Sequence, residues 1–265
     1  MAYAPERRTQ LSLVLVVVLF AAAAWTITYL QVRNMGLLMS LGVPMSMGMA
    51  GWADLTSFTV FTGMWLVMMV AMMLPSTYPT LLLHRTIYRK RHAGQRGGTL
   101  AFSLAYFLTW TATGILFFAA YVLIGRYRSS IQPADLILRA AGGALALAGL
   151  YQYSPLKMSC LRHCQNPLAF IMHHWKDGRL GGFRMGVTHG LYCFGCCWGL
   201  MLILFVMGIM DIGWMVAIGA IILLEKVVPS AKWIPRLVGA TFTAVGILVM
   251  IFPQLLANLS SQVIN

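Results

Sequence analysis

The chain has 265 residues, of which 60% are hydrophobic and 9% are charged, and its mean hydropathy is +0.78. Soluble domains carry roughly a quarter charged residues, so this composition excludes an ordinary soluble domain and indicates a membrane protein. The net charge of +13 comes from basic residues in short segments between apolar runs. This pattern favours membrane topology and anionic lipid headgroups over a nucleic-acid partner.

The first apolar run extends from Leu11 to Leu30 and follows Arg7 and Arg8. The alanines at 21–24 resemble a signal-peptide cleavage region, but the run is longer than a signal segment. We therefore expect a retained first helix. The arginine pair is interpreted as a cytoplasmic flank rather than as a twin-arginine signal.

Seven apolar runs are long, or nearly long, enough to cross a bilayer, which requires about 20 residues. They predict helices, because membrane barrel strands would alternate in polarity. The predicted spans are Leu11–Gln31, Leu55–Pro75, Leu100–Ile124, Ala134–Tyr151, Met185–Ile209, Gly213–Val228 and Leu237–Leu256. The fourth and sixth are short. We expect an all-α polytopic helix bundle that forms one domain over residues 1–265.

The positions of Lys and Arg predict the orientation of this bundle. With the N-terminus in the cytoplasm, 15 of the 19 basic residues fall in inner segments and 4 fall in outer ones. The bias predicts a cytoplasmic N-terminus and an external C-terminus. It leaves a Met-rich outer loop at 32–54 and an inner loop with Cys and His at 152–184. The inner loop is long enough to suggest a functional or partly structured segment.

The outer loop contains the sequence MSMGM, with Met45, Met47 and Met49. Soft thioether ligands favour Cu(I), so the loop is a candidate capture site for a soft ion. A plain membrane-surface loop accounts for the same residues equally well.

The second span contains MWLVMMVAMMLP, in which Met64, Met68 and Met72 are four residues apart and Met73 follows at once. A thioether ladder of this kind predicts a relay for Cu(I). Methionines that simply fill an irregular core are the alternative. Pro75 is expected to end or kink the helix.

The fifth span contains HGLYCFGCCWGLM. On a helical wheel Cys193 lies about 40° and Cys196 about −20° from His189, while Cys197 lies at the margin near about 80°. Imidazole and thiolates on one stripe suit Cu(I) or Zn²⁺. A single cysteine in a membrane helix is usually a packing residue. Three cysteines and a histidine together favour a metal site.

The inner loop contains KMSCLRHC, with the candidate ligands Cys160, His163 and Cys164. Lys157 and Arg162 are expected to favour thiolates there. The spacing matches no standard zinc-finger signature. A pair of interfacial cysteines, open to palmitoylation, is the alternative.

Glu225 lies near the inner end of the sixth span, beside Lys226. A carboxylate at this depth predicts either an ion or proton path or a helix-end ion pair. The expected partners are Lys226, Arg184 and His189.

Four segments together resemble a known family: MWLVMMVAMMLPS, YQYSPLKMSCLRHCQNPL, HHWKDGRLGGFRMGVTHGLYCFGCCWGLM and LLEKVVP. The family is the bacterial family of predicted metal-binding integral membrane proteins, a domain of unknown function, and the resemblance covers approximately Met64–Pro229. It implies a multi-pass protein of the bacterial inner membrane with a metal site. The motif residues that match are Cys160, Cys164, His189, Cys193, Cys196, Cys197 and Glu225. The MSMGM cluster lies outside the matched part.

These patterns predict a protein that takes up, passes on or inserts Cu(I), with Zn²⁺ as the second metal. Its expected partners are the bilayer and either a copper chaperone or a metalloenzyme under assembly. There is no P-loop motif for a nucleotide. A different class of function is a membrane thiol–disulfide oxidoreductase that uses the C-x-x-C pair of Cys193 and Cys196. A structural or assembly subunit without metal is the third hypothesis.

Overall fold

The computed structural model describes residues 4–33, 55–91, 97–128, 134–207, 211–228 and 233–253. Every regular element in these ranges is an α-helix, which confirms the predicted all-α class. In chain order the helices are α1 (Ala4–Arg33), α2 (Leu55–Arg91), α3 (Gly98–Arg128), α4 (Ala134–Tyr151), α5 (Pro155–Gln165), α6 (Pro167–His174), α7 (Gly178–Met207), α8 (Ile212–Val227) and α9 (Trp233–Ile251).

Each of the seven predicted spans coincides with, or largely overlaps, one of these helices. By length and composition, five helices of the described chain are able to cross a membrane. Their apolar segments are Val14–Gln31, Ser57–Arg91, Gly98–Ala120, Gly178–Met207 and Trp233–Ile251. The other two predicted spans correspond to the shorter helices α4 and α8, so length supports five spans where the sequence pattern predicted seven.

Helix α2 does not end at Pro75. It continues through Pro75 and Pro79 to Arg91, so the expectation that the helix ends there is wrong. The hydroxyl of Ser76 donates to the carbonyl of Met73 at 2.9 Å. This bond does not replace those that the two prolines remove, which would be accepted by the carbonyls of residues 71 and 75.

The predicted inner loop is largely helical. Both α5 and α6 begin with a proline, which suits the first helical position because the missing N–H would have no intrahelical acceptor there. The side chain of Asn166 caps α6 by accepting a hydrogen bond from the Ala169 amide at 3.2 Å.

Contacts divide the chain into two compact units, the first of which comprises residues 1–119 and 162–194. Within it α1 packs on α2, and α2 contacts α6. Its core includes Phe102, Phe170 and Met185, which come from α3, α6 and α7 and are at most 1% exposed. A Cβ added at Gly186 would collide with the carbonyl oxygen of Phe102, so the α7 and α3 backbones touch there.

The second unit comprises residues 120–161 and 195–265. Within it α4 packs against α9, and α9 also contacts α8. Helix α5 begins in this unit at Pro155, after the turn at 152–153 that follows α4. The second half of α7, from Gly195, also belongs to it.

Candidate metal site

Three thiols of α7 lie together. The Sγ atoms of Cys193, Cys196 and Cys197 are all within 4.8 Å of one another, and each residue is at most 2% exposed. Among the residues that the structure describes, no other three His, Cys, Asp or Glu ligand atoms cluster this closely. Residues three and four positions apart are neighbours on a helix surface, so the backbone of α7 itself gathers the sulfurs. None of the five cysteines forms a disulfide bond.

Cys197 belongs to this group although the helical wheel placed it at the margin of the stripe. Its Sγ lies 3.2 Å from the Sγ of Cys196. The wheel fixes only the direction of a Cα–Cβ bond, whereas rotation about χ1 decides where the sulfur lies. The thiol group is therefore denser than the wheel alone predicts.

Cys193 is in contact with a tyrosine from another helix. The Tyr106 hydroxyl, on α3, lies 3.1 Å from the Cys193 Sγ. The hydroxyl of Thr77, on α2, donates to the Tyr106 oxygen at 2.9 Å. Either group can donate across this contact, and toward a Cys193 thiolate the donor would be the Tyr106 O–H. Outer hydrogen bonds of this kind orient ligating side chains and stabilise their charge.

His189 lies one turn before Cys193 and is 2% exposed. Its ring packs among aromatic rings, with centroid distances of 5.8 Å to Phe102, 5.6 Å to Tyr106 and 5.0 Å to Phe170. The imidazole is outside the group of three thiols. It borders the site through Tyr106, the residue that bonds Cys193, and its role as a ligand stays a prediction.

The methionines of α2 are deeply buried. Met68, Met72 and Met73 are 5%, 3% and 0% exposed. Thr77 follows Met73 by one helical turn, so the two share a face of α2, and that face reaches Tyr106. This position is compatible with a thioether near the thiols, and ligation by these methionines also stays a prediction.

The candidate ligands of the inner loop, Cys160, His163 and Cys164, lie in different surroundings. The His163 ring stacks on Tyr192 of α7, with centroids 4.1 Å apart. Cys164 is buried. Cys160 is half-buried, and its Sγ lies against Gly195 of α7. These three residues do not form a ligand group of the kind that α7 provides.

The basic neighbours of Cys160 do not lower the pKa of its thiol as the sequence suggested. Burial raises the pKa of Cys160 above its usual value, and a backbone hydrogen bond offsets this only in part. The expected help from Lys157 is absent because the Lys157 ammonium is engaged by Glu225. Arg162 is exposed to solvent. The expectation of a thiolate at Cys160 is therefore wrong.

Lys157 forms a buried ion pair with Glu225. The Lys157 Nζ donates to the two carboxylate oxygens at 3.0 and 2.8 Å and also to the Gln152 side-chain carbonyl. Lys157 is 0% and Glu225 is 3% exposed. Lys157 was not among the expected partners of Glu225. Lys226, which was expected, adds electrostatic attraction from the same helix.

Met45, Met47 and Met49 lie outside the described residues, so the capture role of the outer loop remains a prediction.

Comparison with known proteins identifies a family. The pattern of a copper chaperone family, PpoB2, matches residues 62–249, which is more than two thirds of the chain and includes all five cysteines. No curated protein and no solved structure matches significantly. The match confirms the metal-related part of the resemblance found in the sequence. The chain thus belongs to the copper chaperone family PpoB2.

Proposed function

We propose that this chain binds Cu(I) through Cys193, Cys196 and Cys197 and passes the ion on to a copper-requiring protein. The observation that carries the proposal is the group of three buried thiols within 4.8 Å. Membership of a copper chaperone family supports copper as the cargo.

The composition of the thiol group favours Cu(I) over Zn²⁺. Soft thiolate ligands select Cu(I), whereas structural zinc sites almost always have four ligands in a tetrahedron. No imidazole or carboxylate of the described residues joins the three sulfurs at the same spacing. A thioether from Met72 or Met73 would add a further soft ligand and would strengthen this preference.

The same proposal places the protein in the bacterial inner membrane. Large apolar side chains are exposed on several helices, for example Phe20 at 64%, Leu116 at 68% and Leu147 at 65%. Large apolar side chains exposed in this way suit lipid rather than water. The bias of the basic residues supports a cytoplasmic N-terminus and an external C-terminus.

In this arrangement the ion approaches from the outer Met-rich loop, passes the methionines of α2 and reaches the three thiols. Thioethers bind Cu(I) weakly and without a proton, whereas thiolates bind it tightly after losing one. The gradient of ligand strength therefore favours movement toward α7. The receiving partner is a soluble copper chaperone or a metalloenzyme under assembly.

The proposal is tested by anaerobic Cu(I) titration of the purified full-length protein in detergent, against a competing chelator. The wild type should bind about one equivalent at the thiol group, and Cys196→Ser should lose it because three coordinating sulfurs are reduced to two. Cys164→Ser is the matched control and should bind as the wild type does. Retention of the full equivalent by Cys196→Ser would contradict the proposal. A reversible Cys193–Cys196 disulfide without bound copper would support the oxidoreductase hypothesis in its place.

A further inference from the structure

A fourth cysteine lies beside the thiol group. A Cβ added at Gly195 would be 2.6 Å from the Cys160 Sγ, which is too short for any van der Waals contact. The sulfur of α5 therefore occupies the space that a side chain at 195 would fill. Gly195 directly precedes Cys196, so the α5 thiol touches the α7 backbone beside that site residue.

Cys160 differs from the other site thiols in its access to solvent. It is half-buried, whereas Cys196 and Cys197 are 1% and 2% exposed. Its neighbours Ser159 and Arg162 on α5 are exposed. A soluble acceptor can reach Cys160, but it cannot reach the buried pair directly.

Tyr151, at the end of α4, contacts α7 at Gly195, where the Cys160 sulfur also approaches. The Tyr151 hydroxyl donates to the Gly195 carbonyl at 2.5 Å, and the Tyr151 ring packs on Trp198 with centroids 4.7 Å apart. Tyr151 thus fixes the α7 backbone at the point where Cys160 approaches.

Helix α5 is itself anchored, because Lys157 lies one turn before Cys160 and holds Glu225 of α8. A buried ion pair tolerates little displacement, since separating the charges without water is costly. The pair keeps α5 in the position that presents Cys160 to Gly195.

We propose that Cys160 is the exchange thiol through which the ion leaves the buried group. The inference rests on the proposed function of Cys193, Cys196 and Cys197. Cys160 loses its proton and forms a Cu–S bond, one Cu–S bond to Cys196 or Cys197 breaks, and the released sulfur takes up a proton. A second exchange of the same kind moves the ion to a ligand of the acceptor. Copper remains Cu(I) throughout, so no oxidant or reductant is needed.

The test is the rate at which the loaded protein releases copper. Full-length protein in detergent, loaded with Cu(I), is mixed anaerobically with bathocuproine disulfonate, a charged chelator that reports Cu(I) by its colour. Cys160→Ser should retain the stoichiometry of the wild type but release copper about tenfold more slowly, equivalent to about 1.4 kcal/mol in activation free energy. Gly195→Ala should slow release similarly, because its Cβ displaces the Cys160 sulfur.

Two controls make the result specific. Cys164→Ser makes the same replacement on the same helix and should release copper at the wild-type rate. Gly195→Ala should cause no further slowing in the Cys160→Ser background, because both changes remove the same step. Release from Cys160→Ser that is as fast as, or faster than, the wild type would overturn the inference and leave the copper site intact. So would the loss of bound copper in that variant, since Cys160 would then be a permanent ligand. A wild type that binds no copper would overturn the proposed function together with the inference.

Discussion

Replacing Lys157 by methionine should strongly destabilise the protein, because it isolates a buried carboxylate. The Lys157 ammonium makes three hydrogen bonds, two to Glu225 and one to Gln152. Removing one member of a buried ion pair costs about 3–5 kcal/mol, since the other charge is left without compensation. Replacing Glu225 by leucine in the same protein removes that charge, and the Gln152 carbonyl then loses its donor at a cost of about 1–3 kcal/mol. The double variant should therefore be more stable than Lys157→Met alone.

The assay is equilibrium unfolding of each variant in mixed micelles, with all free energies compared in one double-mutant cycle. Lys176→Met is the matched control, because Lys176 is exposed and its replacement should change the free energy of unfolding by less than about 0.5 kcal/mol. Two results would refute the reasoning. One is a cost for Lys157→Met no larger than that of Lys176→Met. The other is additive costs for the two changes, which would mean that the charges do not interact.

Four further predictions concern other parts of the molecule. Tyr106→Phe should lower Cu(I) affinity by about 10- to 100-fold without changing the stoichiometry, as loss of an outer hydrogen bond does in other metal sites, and an unchanged affinity in chelator competition would argue against its role. Gly186→Ala should lower the free energy of unfolding by about 1–3 kcal/mol because the added Cβ overpacks the contact with Phe102; unfolding in micelles measures it, and equal stability would disprove the close approach. Burial raises the pKa of Cys160, so the thiol should react with iodoacetamide only at higher pH in the folded than in the unfolded protein. The measurement is the pH of half-maximal alkylation rate in a chain whose other cysteines are replaced. Identical pH profiles for the folded and unfolded protein would contradict the raised pKa. A reporter fused after Asn265 should be active only outside the cytoplasm, and cytoplasmic activity would exclude the proposed orientation.

Much of the fold follows from the local pattern of the sequence. Long apolar runs require helices in lipid, because every backbone polar group must be satisfied within its own segment. The ends of α2 were harder to predict. A proline inside a helix usually ends or kinks it, yet α2 continues through Pro75 and Pro79 to Arg91.

The candidate site contains residues that the sequence could identify and residues that it could not. Cys193, Cys196 and Cys197 could be identified because they lie on one helix, where spacing in sequence is spacing in space. Tyr106 and Thr77 could not, since they come from α3 and α2 and no periodicity brings them to Cys193.

Long-range pairing also explains why Glu225 was assigned other partners. Lys157 lies on the short helix α5, and only the folded chain brings its ammonium to the carboxylate of α8. The same contact engages the Lys157 ammonium, while burial raises the pKa of Cys160.

The central claim is that sulfur atoms of Cys193, Cys196 and Cys197 hold the copper ion. Copper K-edge X-ray absorption of the loaded full-length protein measures the ligand atoms directly. Ligation by these sulfurs predicts the edge of Cu(I) and a first shell dominated by sulfur, with fewer sulfur neighbours in Cys193→Ser but not in Cys164→Ser. A first shell of nitrogen and oxygen alone, or a sulfur shell unchanged by Cys193→Ser, would contradict it.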